Sequence, residues 1–224
     1  MSAIGCVAVV PVKPLDVALG RLTDVLSGAE RAALQSAMLR DVLRACRSAA
    51  GLSRALVVTA DAEVSLVACA EGAVVVDDYL PPRGMNPAVR RGLDVASEYG
   101  ATAALVVTAD VPMVRAAELT ALAQWPEGEG CVVLVPSRDG TGTNAMLLRP
   151  PGVLDPELGP HSLARHTAQA RRRGLASRCA EFPGIALDID TPTDLLVFLN
   201  SGVPCVARHM LDQRGALAAV GSSR

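Results

Sequence analysis

Short apolar runs, each closed by proline or a polar turn, alternate along this chain with stretches of helical periodicity. No other feature constrains the fold as much. The first run, Cys6-Val7-Ala8-Val9-Val10, breaks at Pro11-Val12-Lys13-Pro14. Further strands are predicted at 55–59, 73–76, 103–107, 131–135, 145–148 and 185–188. Helices are predicted between them, at 28–49, 63–70, 84–99, 116–125 and 162–173. The first carries Leu34, Met38, Val42 and Cys46 at helical spacing and opens on a capping box, Ser27 with Glu30. Strands alternating with helices build a mainly parallel sheet covered on both faces, so the expected class is α/β with a mixed, mainly parallel sheet.

Composition narrows the reading. A length of 224 residues suits one large domain, expected over 1–202, followed by a C-terminal extension, 203–224, with a mobile end. Half the residues are hydrophobic but only 2% are aromatic, so the core must be built from Ala, Val and Leu. A net charge of −2 lacks the basic face that nucleic acid requires. Six scattered cysteines with no C-x-x-C pair read as reduced thiols of a cytoplasmic protein. The N-terminal apolar run is too short to span a bilayer and lacks a basic signal start, so no membrane association is expected.

Lys13 is the single lysine among 21 basic residues and sits where the first strand ends. A compact ammonium at the carboxyl end of a buried strand suits phosphate binding; a lone surviving surface lysine is the alternative. In Asp188-Ile189-Asp190-Thr191-Pro192, residues two apart in an extended chain point the same way. Both carboxylates then face one side, as a Mg²⁺ site would need. Thr191, Pro192 and Asp194 also form a good helix start, and one of the two aspartates serving it is the alternative. Asp110, after the 103–107 strand and before Val111-Pro112, lies where ligands bind in open α/β sheets. The stretch from Ser137 to Asn144 offers glycines and threonine hydroxyls to an anion, or forms a hairpin tip at Asp139-Gly140. In Leu158-Gly159-Pro160-His161-Ser162, the serine can cap a helix or meet an anion. No Ser or Cys has a nucleophile-elbow context. Arg171-Arg172-Arg173 reads as a solvated helix end.

These residues resemble the guanylyltransferases that activate 2-phospholactate or phosphoenolpyruvate for a deazaflavin coenzyme. The similarity runs from Val10-Pro11-Val12-Lys13 through Gly84-Met85-Asn86, Ala109-Asp110-Val111-Pro112, the 139–144 stretch and Ser162-Leu163-Ala164-Arg165-His166 to Asp188-Ile189-Asp190-Thr191-Pro192. The resemblance implies a nucleotide-diphospho-sugar-transferase-like, Rossmann-like fold. It implies that Asp110, Asp188 and Asp190 hold Mg²⁺, and that Thr143, Gly159 and Ser162 bind the phosphorylated carboxylic acid. Lys13 and Arg21 would meet the phosphates of GTP, and Gly84 and Asn86 would lie along the nucleoside. Where the family usually carries a second lysine and a serine, this chain has Leu19 and Gly20. If the chain is a working but weakened member of that family, a lysine restored at Leu19 is expected to tighten triphosphate binding. A homodimer and hand-over of the product to the next transferase are further expectations. Two rival readings stay open: a nucleotidyltransferase for another phosphorylated acceptor, and a non-catalytic nucleotide-binding relative.

Overall fold

The computed structural model describes residues 4–78, 84–126, 128 and 130–213. Its strands are β1 (Ile4–Pro11), β2 (Leu52–Thr59), β3 (Val74–Asp77), β4 (Ala101–Val107), β5 (Cys131–Pro136), β6 (Thr143–Arg149) and β7 (Ala176–Cys179). Its helices are α1 (Gly28–Ser48), α2 (Ala62–Ala70), α3 (Met85–Glu98), α4 (Ala116–Ala123), α5 (Ser162–Arg172), α6 (Pro183–Ala186), α7 (Pro192–Ser201) and α8 (Val206–Gln213). One seven-stranded sheet has the order β3-β2-β1-β4-β6-β5-β7. β1 runs parallel to β2 and β4, and β2 to β3. β6 lies antiparallel between β4 and β5, and β7 closes the sheet parallel to β5. The mixed, mainly parallel sheet expected from the alternation is present.

The period of two along each strand divides the interior. Ala8, Val10, Leu105 and Val133 face one side, against Leu39, Val42 and Leu43 of α1. Val7, Val9, Leu56 and Val106 face the other, against Val89 and Leu93 of α3. Gly92 lets α3 settle on the sheet, because a Cβ there would lie 2.4 Å from Val9 Cγ1. A third core gathers Leu22, Leu34, Met38, Leu195, Phe198 and Leu211 between α1, α7 and α8. α8 is joined to α1 by Asp41, whose carboxylate accepts the Val206 and Ala207 amides at 2.8 and 2.9 Å. That part of the expected extension shares the main core, while 214–224 lie outside the described residues. No helix among the described residues is long and apolar enough to cross a membrane.

The strand expected at 185–188 is a correction. Pro183 occupies the first turn of α6, where its missing N–H costs nothing, and the Gly184 amide donates to buried Glu118 at 2.9 Å. The chain therefore turns helically through Ala186 and runs on as an irregular segment, 187–190. The sheet position beyond β5 belongs to β7.

Leu19 is a second correction. Its backbone is left-handed, at φ 52°, and its side chain is 9% exposed within the third core. A branched apolar residue holds that strained conformation because its burial repays the strain. A lysine there would have to bury its ammonium or expose the core. Leu19→Lys is thus expected to lower stability by roughly 2–4 kcal/mol and to leave GTP affinity no tighter. Denaturant unfolding and nucleotide titration of the variant check this.

Candidate active site

The carboxyl ends of β1 and β4 and the first residues of antiparallel β6 meet at one edge of the sheet. They border a cavity of about 720 Å³ lined by Lys13, Arg21, Asp110, Thr143, Asp188 and Asp190 among others. Gly159 and Ser162 close another side of it. A separate depression of about 860 Å³ follows the outer face of α5, past Leu163, Ala164 and Ala168. It gathers none of the carboxylates, so the chemistry is argued from the first cavity.

The Lys13 loop is fixed from below. The Val12 amide continues the β1–β2 ladder to Val58 O at 3.0 Å, and the Leu15 amide donates to Asp61 Oδ2 at 2.8 Å. Asp61 Oδ1 meanwhile caps α2 through the Glu63 and Val64 amides. Lys13 itself is exposed at the cavity, with no ion pair or hydrogen bond to its ammonium among the described residues.

The acidic wall arises from alternation along 187–190. Leu187 and Ile189 are 3% and 0% exposed in the third core, so Asp188 and Asp190 are turned into the cavity. The Ile189 amide donates to Asp110 O at 2.9 Å, joining this segment to the end of β4. The α7 start is served by Thr191 and Asp194, which form a reciprocal capping box. Neither Asp188 nor Asp190 is needed for it.

The three carboxylates differ in setting. Asp110 is partly exposed as a residue, but its Oδ1 is sealed from solvent without a hydrogen-bond partner, as is the neighbouring Thr108 hydroxyl. Burial first and the Asp188 charge second push its pKa up to about 6. Asp188 is also shifted upward by burial, against the donor from Asn144 Nδ2 at 3.0 Å. Asp190 Oδ2 accepts from Arg21 at 2.7 Å, an exposed pair of roughly 0–1 kcal/mol that a cation can replace at small cost.

Asn144 and Glu118 brace the cavity wall and were left unassigned by the sequence reading. Asn144 Nδ2 lies 3.0 Å from Ile185 O, Ala186 O and Asp188 Oδ1, fixing the exit of α6 against β6. Glu118 caps α4 and holds Gly184. Only the nearness of Asn144 to the Asp139-Gly140 turn hinted at the first. Nothing local marks the second.

The opposite wall is the β5–β6 hairpin tip together with the start of α5. The Asp139-Gly140 turn is real: Asp139 accepts from the Ser137 hydroxyl at 2.6 Å and the Thr141 amide at 2.9 Å. Those donors hold its carboxyl down at about 2. Gly142 brings its amide to Ser137 Oγ at 2.7 Å, and a Cβ there would lie only 2.8 Å from the same oxygen. Gly159, at φ 111°, turns the chain so that Ser162 begins α5 facing Thr143. Asn86 has both ends of its amide on the Leu158 backbone, at 2.6 and 3.3 Å. Its observed work is to hold that loop, whereas the resemblance implies a contact with the nucleoside. Gly84, at φ 126°, begins α3 beside Met85, which does line the cavity.

The residues present suit Mg²⁺. Asp110 offers an unpartnered buried oxygen, and Asp188 and Asp190 supply further hard oxygen donors. Among the described residues no three or more His, Cys, Asp or Glu side chains form a ready-made metal cage. An open carboxylate wall is the usual arrangement for Mg²⁺, which completes its shell with substrate phosphate and water.

A profile of the family described as "Guanylyl transferase CofC like" matches residues 6–216. The chain belongs to that family. It is 43% identical over 212 residues to a phosphoenolpyruvate guanylyltransferase of Conexibacter woesei, covering 92% of this chain and 95% of that one. It is 39% identical over 194 residues to a 3-phospho-D-glycerate guanylyltransferase of Phenylobacterium zucineum, covering 85% and 87%. The fold is that of a putative nucleotide-diphospho-sugar transferase from Desulfovibrio desulfuricans G20, with TM-score 0.76 at 15% identity and 96% of each chain covered. The family is one of nucleotidyltransferases, and this chain is an enzyme of that class.

Proposed function

We propose that the enzyme transfers GMP from GTP to the phosphate of phosphoenolpyruvate, releasing pyrophosphate, as a step in deazaflavin coenzyme synthesis in the cytoplasm. The observation that carries this reading is the meeting, in one cavity, of three carboxylates, two cations and a hydroxyl wall, in a chain of this family. Phosphoenolpyruvate is favoured because the relatives at 41–43% identity carry that name.

The acceptor arrives as an anion, so no side chain has to create a nucleophile. An acceptor phosphate oxygen attacks the α-phosphorus of GTP, that P–O bond forms, and the bond to the departing pyrophosphate breaks. Positioning and charge neutralisation supply the catalysis. Thr143 and the turn at Gly159 hold the acid against the cavity wall, and the Ser162 hydroxyl braces Thr143 from behind. Lys13 and Arg21 receive the triphosphate and the charge that builds on its leaving portion. Asp110, Asp188 and Asp190 would hold Mg²⁺, which when bound would supply neutralisation of phosphate charge.

The deciding experiment supplies purified protein with GTP, Mg²⁺ and, separately, phosphoenolpyruvate, 2-phospholactate or 3-phosphoglycerate, and follows pyrophosphate. The fastest release is expected with phosphoenolpyruvate. Release with 3-phosphoglycerate alone would move the acceptor. GTP binding without release on any acid would make the chain a non-catalytic relative.

Lys13→Ala is expected to raise the KM for GTP about ten- to a hundredfold, the loss of a charged contact. Lys13→Arg should recover little of it, because the loop between Pro11 and Pro14 is braced by Val58 and Asp61 and leaves a wider guanidinium little room. Steady-state kinetics on both variants reads the difference. Wild-type behaviour of Lys13→Arg would make the lysine dispensable.

A further inference from the structure

His166 belongs to α5 and is fully buried beneath the hydroxyl wall. Its Nε2 lies 2.9 Å from the backbone amide of Glu157, and its Nδ1 lies 3.1 Å from Thr143 Oγ1. A backbone amide can only donate, so Nε2 is the nitrogen without a proton. A neutral ring then carries its proton on Nδ1 and donates it to Thr143. Neutrality follows from burial, which pushes the imidazole down to about 4 against the nearby Glu157 charge, with Arg165 adding to the downward shift.

The Glu157 amide is itself held in place. Arg165 donates to Glu157 O at 2.7 Å, and the Leu158 amide is fixed by Asn86 at 2.6 Å. Gln169, one turn further along α5, receives the Asp155 amide at 2.6 Å. The loop over 155–158 therefore imposes one tautomer on the ring.

That tautomer decides what Thr143 shows to the cavity. Its oxygen accepts from His166 Nδ1 and, at 3.3 Å, from the Ser162 hydroxyl. With both lone-pair sites taken, the threonine proton turns to the remaining side, where Thr143 lines the cavity. In the opposite tautomer Thr143 would donate to Nδ1 and turn a lone pair toward an incoming anion. We infer that His166 is a positioning residue: through Nδ1–H it fixes the Thr143 hydroxyl as a donor to the phosphorylated acid. This rests on the assignment of Thr143 to the acid site in the proposed function.

Two replacements separate the ring's two contacts. An Asn amide nitrogen reaches the Nδ1 position, and a Gln amide oxygen reaches the Nε2 position. His166→Gln keeps an acceptor for the Glu157 amide but gives Thr143 no donor. His166→Asn does the reverse. The KM for phosphoenolpyruvate is expected to rise about tenfold in His166→Gln with the KM for GTP unchanged, and to recover in His166→Asn. Adding Thr143→Val to His166→Gln should cost nothing beyond Thr143→Val alone, since the two act through one hydroxyl. Equal rises for both substrates in either variant, or full additivity with Thr143→Val, would overturn the inference. Nitrogen-15 NMR of the wild-type imidazole gives a substrate-free arm: a proton on Nδ1 is expected, and one on Nε2 would overturn the inference outright. If Nδ1 is protonated and no acid is turned over, the proposed function has failed and the tautomer lock has not.

Discussion

Asp110→Asn is expected to raise the stability of the protein at pH 7 and to abolish turnover at the same time. The carboxyl is pushed from its ordinary 3.8 to about 6, chiefly by burial and then by Asp188. Between those values the folded protein keeps a proton that the unfolded chain has released. Stability is therefore lost as pH rises through that window, and at pH 7 the ionised group carries the whole penalty. The gap corresponds to at most roughly 3 kcal/mol, less to the extent that the cavity mouth admits solvent. Asparagine matches the shape, carries no charge, and offers an amide to the unpartnered Thr108 hydroxyl. The variant should melt above wild type at pH 7, and the difference should vanish below pH 4. Pyrophosphate release should fall at least about a thousandfold, as roughly 4 kcal/mol of electrostatic stabilisation is removed. Millimolar Mg²⁺ should raise the melting temperature of wild type and leave that of the variant unmoved. A variant that melts lower yet turns over normally would sink both the metal assignment and the strained-carboxylate account.

The same segment illustrates what a sequence displays. The pairing of Asp188 with Asp190 on one side was legible because alternation with Leu187 and Ile189 is written locally, and burial of that pair enforces it. The elements carrying Lys13, Asp110 and Thr143 were legible because apolar strands end abruptly there. The strand expected at 185–188 was misleading: Ile185 and Leu187 are buried as a strand's residues are, and the helical turn through Ala186 rests in part on the Gly184 amide reaching Glu118, 66 residues away. β7 escaped notice for the opposite reason, since Ala176-Ser177-Arg178-Cys179 is a largely exposed edge with no apolar face. Leu19 could be compared with a lysine only as a letter, because its left-handed backbone and its place in the third core are tertiary facts. The engagement of Asn86 by Leu158, 72 residues away, was equally out of reach.

Gly184→Ala should disable the enzyme from outside the cavity. A Cβ at this position would lie 2.3 Å from Glu118 Oε2 and 2.4 Å from Met113 O. The first is a buried carboxylate held by Arg115 and by the Gly184 amide, and the second is backbone, so neither yields cheaply. α6 must therefore lift away from α4, costing roughly 1–3 kcal/mol for overpacking and about as much again for the lost Glu118 contact. The displacement does not stay local. Asn144 reads the position of α6 through Ile185 O and Ala186 O with the same amide that orients Asp188, so a shifted α6 moves a proposed Mg²⁺ ligand. Misplacement of about 1 Å at a reacting centre costs on the order of a hundredfold in rate. Gly152→Ala is the control, since its Cβ would meet nothing within 4 Å. Denaturant melts should show Gly184→Ala destabilised and Gly152→Ala near wild type. Kinetics at a temperature where both remain folded should show kcat reduced only in the first. A destabilised Gly184→Ala with unchanged kcat would mean that Asn144 does not couple α6 to Asp188.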